Sequence, residues 1–546
     1  MLERDLIDQM FPADLPEPSY WERLYPPRQL PEGAQITRFG PSPTGYVHVG
    51  NIYVAMIDQN ISNRTGGAYL VRIEDTDQSR AVSGAVEQLQ GAFEFFGIRA
   101  DEDDTNGAYG PYLQSARERI YLSYVGQLMR TGQAYPCFAT HEELAEITRR
   151  QQATKLPTGY YGSWAIWRDA DPGEVAARLA AGDPYVVRFR SPGVEGRVSF
   201  EDAIRGRLEH EVNRNDVVIL KSSTQSPRLP TYHLAHAVDD HLMRVNLVIR
   251  GEEWISSVPL HLQLFTALGF EPPTYAHIAP LMKIEGGNKR KLSKRKDPEA
   301  SVDFYLDTGY PAAAVLYYLR GLANGRLAEL PLAQALEEPI RLADCGVAGP
   351  LVDMVKLADI SGDHLATLSG PAILDAVCEW AAERDPELVS VIGDNRELAE
   401  RVIDVERVGV DNPRKDLVRW SDFRALYGFF FPSLFTPVTD PSDQRLGGLD
   451  AGLVRKLTAD FADHYTWSEK QPEWFAQVRE LAARHGFAPN PKAYKKDPDA
   501  YPGMLRDAAN VIRVAITGSS RSPDLHQVCG ALGADEVTRR VRALAG

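Results

Sequence analysis

Arg38-Phe39-Gly40-Pro41-Ser42-Pro43-Thr44-Gly45-Tyr46-Val47-His48-Val49-Gly50-Asn51 is the stretch on which the reading of this chain turns. Gln35 to Phe39 reads as a strand, and Pro41 and Pro43 forbid its continuation. Gly45 allows a tight turn. From Gly50 to Arg64 the apolar residues Ile52, Ala55, Met56, Ile57 and Ile61 recur at helical spacing, and Gly66-Gly67 ends the run. Tyr69 to Ile73 is a second strand, with Glu74-Asp75-Thr76-Asp77 at its C-terminal end. Strand, glycine turn, helix and strand form one βαβ unit, an arrangement that places a nucleotide at strand ends.

The turn has the chemistry for a phosphate. A helix start offers free backbone N–H groups and the positive end of the helix dipole. Gly50 lets a ligand approach the backbone, and His48 can donate to a phosphate oxygen. A second segment, Lys289-Arg290-Lys291-Leu292-Ser293-Lys294-Arg295-Lys296, holds six basic residues. With Gly286-Gly287 before it, this reads as a mobile loop that closes on a triphosphate, Lys294 reaching the β/γ-phosphates as the leaving group gains charge. Each segment has a bland reading of its own: a connection that happens to contain a histidine, and a solvated basic run or nucleic-acid-backbone patch with no catalytic role. Their order and separation weigh against both.

Outward from these segments, 546 residues exceed what one core serves, so two to four domains are expected. Apolar residues make up 44% and charged residues 25%, which is the composition of a globular protein. The net charge of −15 argues against a general nucleic-acid coat while leaving room for a local basic surface. Cys137, Cys345, Cys378 and Cys529 show no C-x-x-C spacing, which fits a reduced, cytoplasmic location. No apolar run approaches the roughly 18 residues of a membrane span. Residues 1–11, with Glu3, Arg4, Asp5 and Asp8, lack the pattern of a signal peptide. Residues 1–34 are proline-rich, and Tyr20, Trp21, Leu24 and Tyr25 give that arm an apolar side suited to packing on the following domain. Between 111 and 212 the βαβ alternation breaks into short strands such as Tyr185–Arg190. Parallel-strand patterning returns at Val217–Leu220 and Val245–Ile249. Beyond about residue 300 only helical periodicity is left, as at Glu397–Val408, Leu453–Tyr465 and Gly503–Ile516.

The two segments resemble the HIGH and KMSKS elements of class I aminoacyl-tRNA synthetases, and the chain is similar to bacterial glutamyl-tRNA synthetases from about residue 35 onward. The resemblance also runs through Arg72–Asp77, Gly110–Ser115, Pro230-Thr231-Tyr232, Val238-Asp239-Asp240, Val248–Trp254 and Lys291–Arg295, and late in the chain through Arg513–Gly518 with Ser522-Pro523. Asn51 stands where a second histidine gives the first motif its name. The fold implied is an α/β Rossmann-type catalytic domain with an inserted α+β acceptor-binding domain, followed by all-α stem-contact and anticodon-binding domains. On this chain that gives an N-terminal extension (1–34), the catalytic domain in two halves (35–110 and 213–285), the insertion (111–212), the KMSKS loop with a helical stem-contact domain (286–370) and a helical anticodon-binding domain (371–546).

The activity implied is ATP-dependent attachment of glutamate to tRNA through glutamyl-adenylate, with Mg2+ on the ATP and glutamate tRNA, with glutamine tRNA as an open possibility, as partner. By resemblance His48 and Lys294 are catalytic. Gly50, Asn51, Glu253, Trp254, Leu281, Lys291, Ser293, Lys294 and Arg295 bind ATP. Arg38, Ser42, Glu74, Tyr232, His236 and Arg250 bind glutamate. Arg250 carries the specificity argument, because an arginine fork pairs with a carboxylate and cannot accept from an amide NH₂. The bland alternative for these charges is structural pairing, Arg72 with Glu74 or Arg250 with Glu253. His236 departs from many bacterial members, which often carry asparagine there, and is similar to the glutaminyl enzymes, which carry histidine; it reads either as a core histidine or as a pocket residue that tunes charge. Some members hold zinc through Cys-x-Cys; here Ala139 follows Cys137 and no structural zinc is expected. Arg414-Lys415, Lys495-Lys496 and Arg539-Arg540 are candidates for tRNA phosphate contact, with a solvated charge pair as the bland reading of each. The rival readings are a non-discriminating or pathway-dedicated paralogue and a degenerate homologue acting as a binding module. Nothing in the sequence calls for a dimer, and the chain reads as a monomer.

Overall fold

The computed structural model describes residues 2–43, 45, 47–78, 82–193 and 195–546. Thr44 and Tyr46 of the opening motif lie outside the described residues. The chain forms two compact units, Met1–Phe304 with Leu316–Asp353, and Tyr305–Val315 with Met354–Gly546.

The first unit opens with helices α1 (Arg4–Asp8) and α2 (Pro18–Leu24), followed by strand β1 (Ile36–Phe39), helix α3 (Val49–Thr65) and strand β2 (Ala68–Val71). β1 and β2 pair in parallel from Ile36↔Ala68 to Phe39↔Val71, which is the βαβ unit the sequence predicts. β2 is shorter than its apolar run suggests, because Ile73 instead bridges to Leu113. Helices α4 (Ala85–Phe95) and α5 (Glu118–Arg130) follow, then β3 (Ala134–Cys137), α6 (His141–Ala153), α7 (Pro172–Ala180), β4 (Val186–Phe189), β5 (Arg197–Asp202), β6 (Gly206–Glu211) and β7 (Val218–Leu220). The chain then makes α8 (Tyr232–Leu242), β8 (Leu247–Gly251), α9 (Val258–Leu268), β9 (Thr274–Ile278), β10 (Met282–Glu285) and β11 (Asn288–Lys291).

Two strand pairings differ from the reading of the sequence. Val218–Leu220 is no parallel strand, for β7 pairs antiparallel with β4 in a sheet ordered β3-β4-β7. The β5–β6 hairpin joins β9 and β8 in a sheet ordered β6-β5-β9-β8, with β5 touching β9 in parallel at Asp202↔Tyr275. A short buried apolar strand has the same pattern in either sheet, so periodicity cannot choose its partner. β8 lies beside β1, where Ile36 N donates to Asn246 Oδ1 at 2.7 Å and Asn246 N to Ile36 O at 3.2 Å.

The N-terminal arm is fastened on. Trp21 Nε1 donates to Ser123 Oγ at 2.9 Å, and Tyr25 is buried with its hydroxyl on the Gly110 carbonyl at 2.5 Å. Arg28 grips Glu102 with both terminal nitrogens at 2.6 and 2.8 Å. Tyr20 and Leu24 stay exposed, so only part of the predicted apolar side is used.

Among the described residues no strand follows Lys291. The second unit packs helices including Arg396–Ile403, Ala451–His464 and Leu505–Thr517 around a core of residues such as Phe423, Leu457, Val511 and Val541. No helix among the described residues is long and apolar enough to cross a membrane.

Candidate active site

A cavity of about 1020 Å³ opens at the C-terminal ends of β1, β8 and β9, where a parallel sheet exposes its strand ends. Arg38, Ser42, His48, Gly50, Asn51, Glu74, Tyr232, Arg250, Glu253, Trp254, Leu281, Lys291 and Lys294 line it. Of the predicted site residues, Ser293, Arg295 and His236 do not.

His48 caps α3. Its Nδ1 accepts from Gly50 N at 2.8 Å, and Asn51 Oδ1 accepts from His48 N at 2.9 Å, a reciprocal capping box. A Cβ at Gly50 would stand 2.9 Å from His48 Nδ1, so glycine keeps this turn open. Burial, then the charge of Lys294, lowers the His48 pKa to about 4. The ring is therefore neutral near pH 7. With Nδ1 accepting, its proton sits on Nε2, which gives one N–H donor on the side of the Leu292 backbone.

The basic segment begins in a hairpin and is tied by one acid. Gly286 and Gly287 have φ of 57° and 83° and form a two-residue turn between β10 and β11, closing at Glu285↔Asn288. Positive φ at both turn residues suits a type I′ hairpin, so the two glycines form the tight turn that joins β10 to β11. Asp297, 2% exposed, then organises the loop. It accepts from Arg290 at 2.6 and 2.8 Å and from Ser293 N at 2.9 Å, and lies 3.3 Å from Lys283 Nζ. These contacts, Arg290 foremost, hold its carboxyl well below the usual range. Ser293 thus serves through its backbone, while Lys291 and Lys294 reach the cavity. Val302 N donates to Val47 O at 3.0 Å, tying the end of this segment to the His48 turn.

Behind the cavity lies a buried cluster of six charges. Arg38 Nε donates to Asp240 Oδ2 at 3.3 Å. Arg72 donates to Asp240 Oδ1 at 2.6 Å and to Glu74 Oε1 at 3.0 Å. Arg117 Nε, Gln114 Nε2 and Tyr121 OH donate to Asp239 at 2.7, 2.9 and 2.8 Å. Spacing on α8 sets this up, since Tyr232, His236, Asp239 and Asp240 fall on one helical face. Burial raises the Glu74 pKa against the pull of Arg72 and Arg38. A Cβ at Gly40 would stand 2.4 Å from Glu74 Oε1, so this carboxylate requires glycine beside it.

Arg250, 6% exposed, is held differently. Among the described residues it forms no ion pair, and Glu253 instead faces Lys291 at 4.0 Å. The structural alternative weighed from the sequence therefore holds for Arg72 with Glu74 and fails for Arg250. Its Nη1 lies 3.4 Å from Tyr232 OH, and its remaining partners are His277 and His261, neither legible as site residues in the sequence.

His236 is a correction. It is fully buried behind Tyr232, their rings stacked at 5.7 Å, with Nε2 3.0 Å from Tyr275 OH and Nδ1 2.7 Å from Asp240 Oδ2. Burial lowers its pKa to about 4, more than Asp240 raises it. It touches the charge cluster and does not face the cavity.

In the second unit a cavity of about 340 Å³ is lined by Trp474, Phe475, Arg513, Asp524 and His526 among others. Trp467 stacks on His526 at 4.8 Å and is 37% exposed. Arg540, predicted as a tRNA contact, is instead fully buried, donating to Glu536 and to the Phe429 and Ile516 carbonyls. Arg414 and Lys415 pair with Asp416 and Asp363. Cys137 Sγ lies 3.4 Å from Tyr160 OH and 3.3 Å from Arg188 Nε, and among the described residues no three His, Cys, Asp or Glu are grouped to hold a metal.

Residues 35–339 match the family model described as "tRNA synthetases class I (E and Q), catalytic domain", and residues 504–545 match one described as "Anticodon binding domain". The glutamate–tRNA ligase of Acetivibrio thermocellus is 40% identical over 99% of both chains. That of Clostridium perfringens strain 13 is 39% identical over 99% of this chain and 100% of its own. The crystal structure of a glutamate tRNA ligase from Elizabethkingia meningosepticum in complex with its amino acid superposes with a TM-score of 0.74 at 26% identity, covering 94% of this chain and 99% of the other.

Proposed function

The chain belongs to the class I tRNA synthetases (E and Q), and from that premise we propose that it joins glutamate to tRNA in the large cavity, working in the cytoplasm as a monomer. In the first step an oxygen of the glutamate α-carboxylate attacks the α-phosphorus of ATP. The bond to the β-phosphate oxygen breaks, and pyrophosphate leaves with its electron pair. In the second step a hydroxyl of the terminal ribose at the tRNA 3′ end attacks the acyl carbon, and AMP leaves.

The chain supplies positioning and charge for these steps. The His48 Nε2–H and Lys294 stand where the triphosphate gains charge, and the α3 N-terminus faces the same place. Gly50, Asn51, Glu253, Trp254, Leu281 and Lys291 form the walls for the nucleotide, and Mg2+ arrives with the phosphates rather than in a protein cage. Glu74 takes the substrate ammonium, Arg38 and Ser42 flank the α-carboxylate, and Tyr232 and Arg250 take the side-chain carboxylate.

One observation carries this reading: Arg250 is a buried cation facing the cavity with no acidic partner among the described residues. A buried unpaired charge is costly, and a substrate carboxylate offsets that cost where a neutral amide does not. In the second unit, the Trp467–His526 stack and Arg513 offer an aromatic face and a cation to an unstacked anticodon base. The segment 111–212 carries the tRNA acceptor end.

The test is charging of purified glutamate and glutamine tRNAs with labelled glutamate, with glutamine as competing amino acid. Charging of the glutamate tRNA alone is expected. Charging of both tRNAs would make the enzyme non-discriminating. Charging with glutamine would sink the assignment of Arg250, and no charging of either would sink the reading.

A further inference from the structure

Arg250 is aimed by neutral groups. Its Nε donates to His277 Nε2 at 3.1 Å, its Nη2 lies 3.2 Å from His261 Nδ1, and its guanidinium carbon stands 4.7 Å over the Tyr275 ring. His277 is fully buried and is fixed from its far side by Asp202, whose Oδ2 lies 2.6 Å from His277 Nδ1. Asp202 is 3% exposed, stands at the end of β5 and does not line the cavity.

The hydrogen bonds fix the tautomer. The Asp202 carboxylate can only accept, so His277 carries its proton on Nδ1 and turns a bare Nε2 toward the Arg250 N–H. Burial, and further the charge of Arg250, keep the ring neutral against the pull of Asp202. The acid therefore acts on the arginine at one remove.

We propose that Asp202 and His277 are the positioning residues that set the preference of this site for an acidic side chain, by aiming the Arg250 fork without neutralising it. An acid in direct contact would also hold the arginine, as Asp240 holds Arg38 at Nε, but it would offset the charge that a substrate side-chain carboxylate needs. The neutral histidine supplies direction and leaves the charge for the ligand. This inference rests on the reading of Arg250 as the group that takes the side-chain carboxylate.

Asp202→Asn in the full-length chain is the discriminating variant. Asp202 Oδ1 accepts from Ile204 N and Arg205 N at 3.0 and 2.9 Å and Oδ2 accepts from His277 N at 3.1 Å, so the new NH₂ would face two backbone donors on the Oδ1 side and one on the Oδ2 side, and it takes the Oδ2 side. There it meets His277 Nδ1 as a donor and forces the proton to Nε2, against the Arg250 N–H. The expected result is a rise of about tenfold or more in KM for glutamate, an unchanged KM for ATP and a narrower preference for glutamate over glutamine, one decade being about 1.4 kcal/mol. His277→Leu removes the acceptor by another route, is expected to do the same, and decides the matter if Asp202→Asn fails to fold. A merely structural role would lower kcat and thermal stability without moving the glutamate KM selectively. Arg250→Gln is the reference. If it raises the glutamate KM while Asp202→Asn and His277→Leu do not, the proposal is overturned and the reading of Arg250 stands. If Arg250→Gln leaves that KM unchanged, both fall.

Discussion

Two arginines reach one cavity from neighbouring strands and are treated in opposite ways. Arg38 on β1 is locked to Asp240, inside a cluster where Arg38, Arg72 and Arg117 balance Glu74, Asp239 and Asp240. Arg250 on β8 meets two neutral histidines, a tyrosine hydroxyl and an aromatic face, and no acid among the described residues. The balanced cluster ties β1, the end of β2, α5 and α8 together. The unbalanced arginine keeps its charge for something that enters. A residue of one type in one site can have its charge balanced by the protein or left unbalanced, and its partners decide which.

The largest effect should come from breaking the balanced side. Asp240→Asn removes the shared partner of Arg38 and Arg72, whose charges burial otherwise penalises. Removing one member of a buried ion network costs about 3–5 kcal/mol. Urea unfolding should show a loss of unfolding free energy of that size and a lower midpoint, with charging lost; an unchanged midpoint would refute the structural role of the cluster.

Arg250→Gln attacks the other side. It frees His277 and His261 without stranding a carboxylate, so the unfolding midpoint should hardly move. Loss of hydrogen bonds to a charged group costs about 1.5–3 kcal/mol, which corresponds to a rise of roughly 10- to 100-fold in the glutamate KM. Equal damage to stability from Arg250→Gln and Asp240→Asn would erase the contrast between the two arginines.

A third variant probes an acid with neither role. Both oxygens of Asp58, buried on α3, lack hydrogen-bond partners, and burial pushes its pKa well above the usual value. Asp58→Leu should therefore raise stability by about 1–3 kcal/mol in thermal unfolding, most clearly at neutral pH, where the unfolded carboxyl is ionised. A loss of stability would mean that this acid has a partner in solution.

The smallest effect is on pH dependence. His48, His233 and His236 have pKa values lowered to about 4, first by burial. The folded chain then binds fewer protons than the unfolded one below about pH 6.5, so stability should fall as pH drops from there toward 4. His236→Asn removes one such group. It should flatten the slope by less than about 1 kcal/mol at pH 6 and leave the glutamate KM unchanged. An unaltered slope would mean that His236 is not the neutral group its burial implies.

Much of this site was readable before any tertiary contact was known. The strand, turn and helix around His48 follow from two prolines, a glycine and a run of apolar residues, and the capping box closes within four residues. The basic run could be read, but its behaviour could not. Gly286-Gly287 makes a hairpin turn because Met282–Glu285 and Asn288–Lys291 pair, and the anchor of the loop, Asp297, looks like any acid after a basic stretch. Lys495-Lys496 and Arg539-Arg540 read alike as exposed pairs, yet Arg540 is core. Its partners lie on segments distant in sequence, at Phe429 and Ile516.

By itself the sequence determined what local preference and periodicity fix: the strand, turn, helix and strand order of the βαβ unit, the capped turn that carries His48, and the place of Arg250 near the end of a strand. Short-range dihedral preferences and side-chain periodicity suffice for these. Tertiary structure alone decided which arginine is paired, which strand β5 joins, which face His236 takes and which tautomer His277 holds. Asp202 and His277 are 75 positions apart, and no local pattern records that one will fix the proton of the other. The charge state of each buried group depends on the dielectric and the partners it meets only when the sheet has assembled.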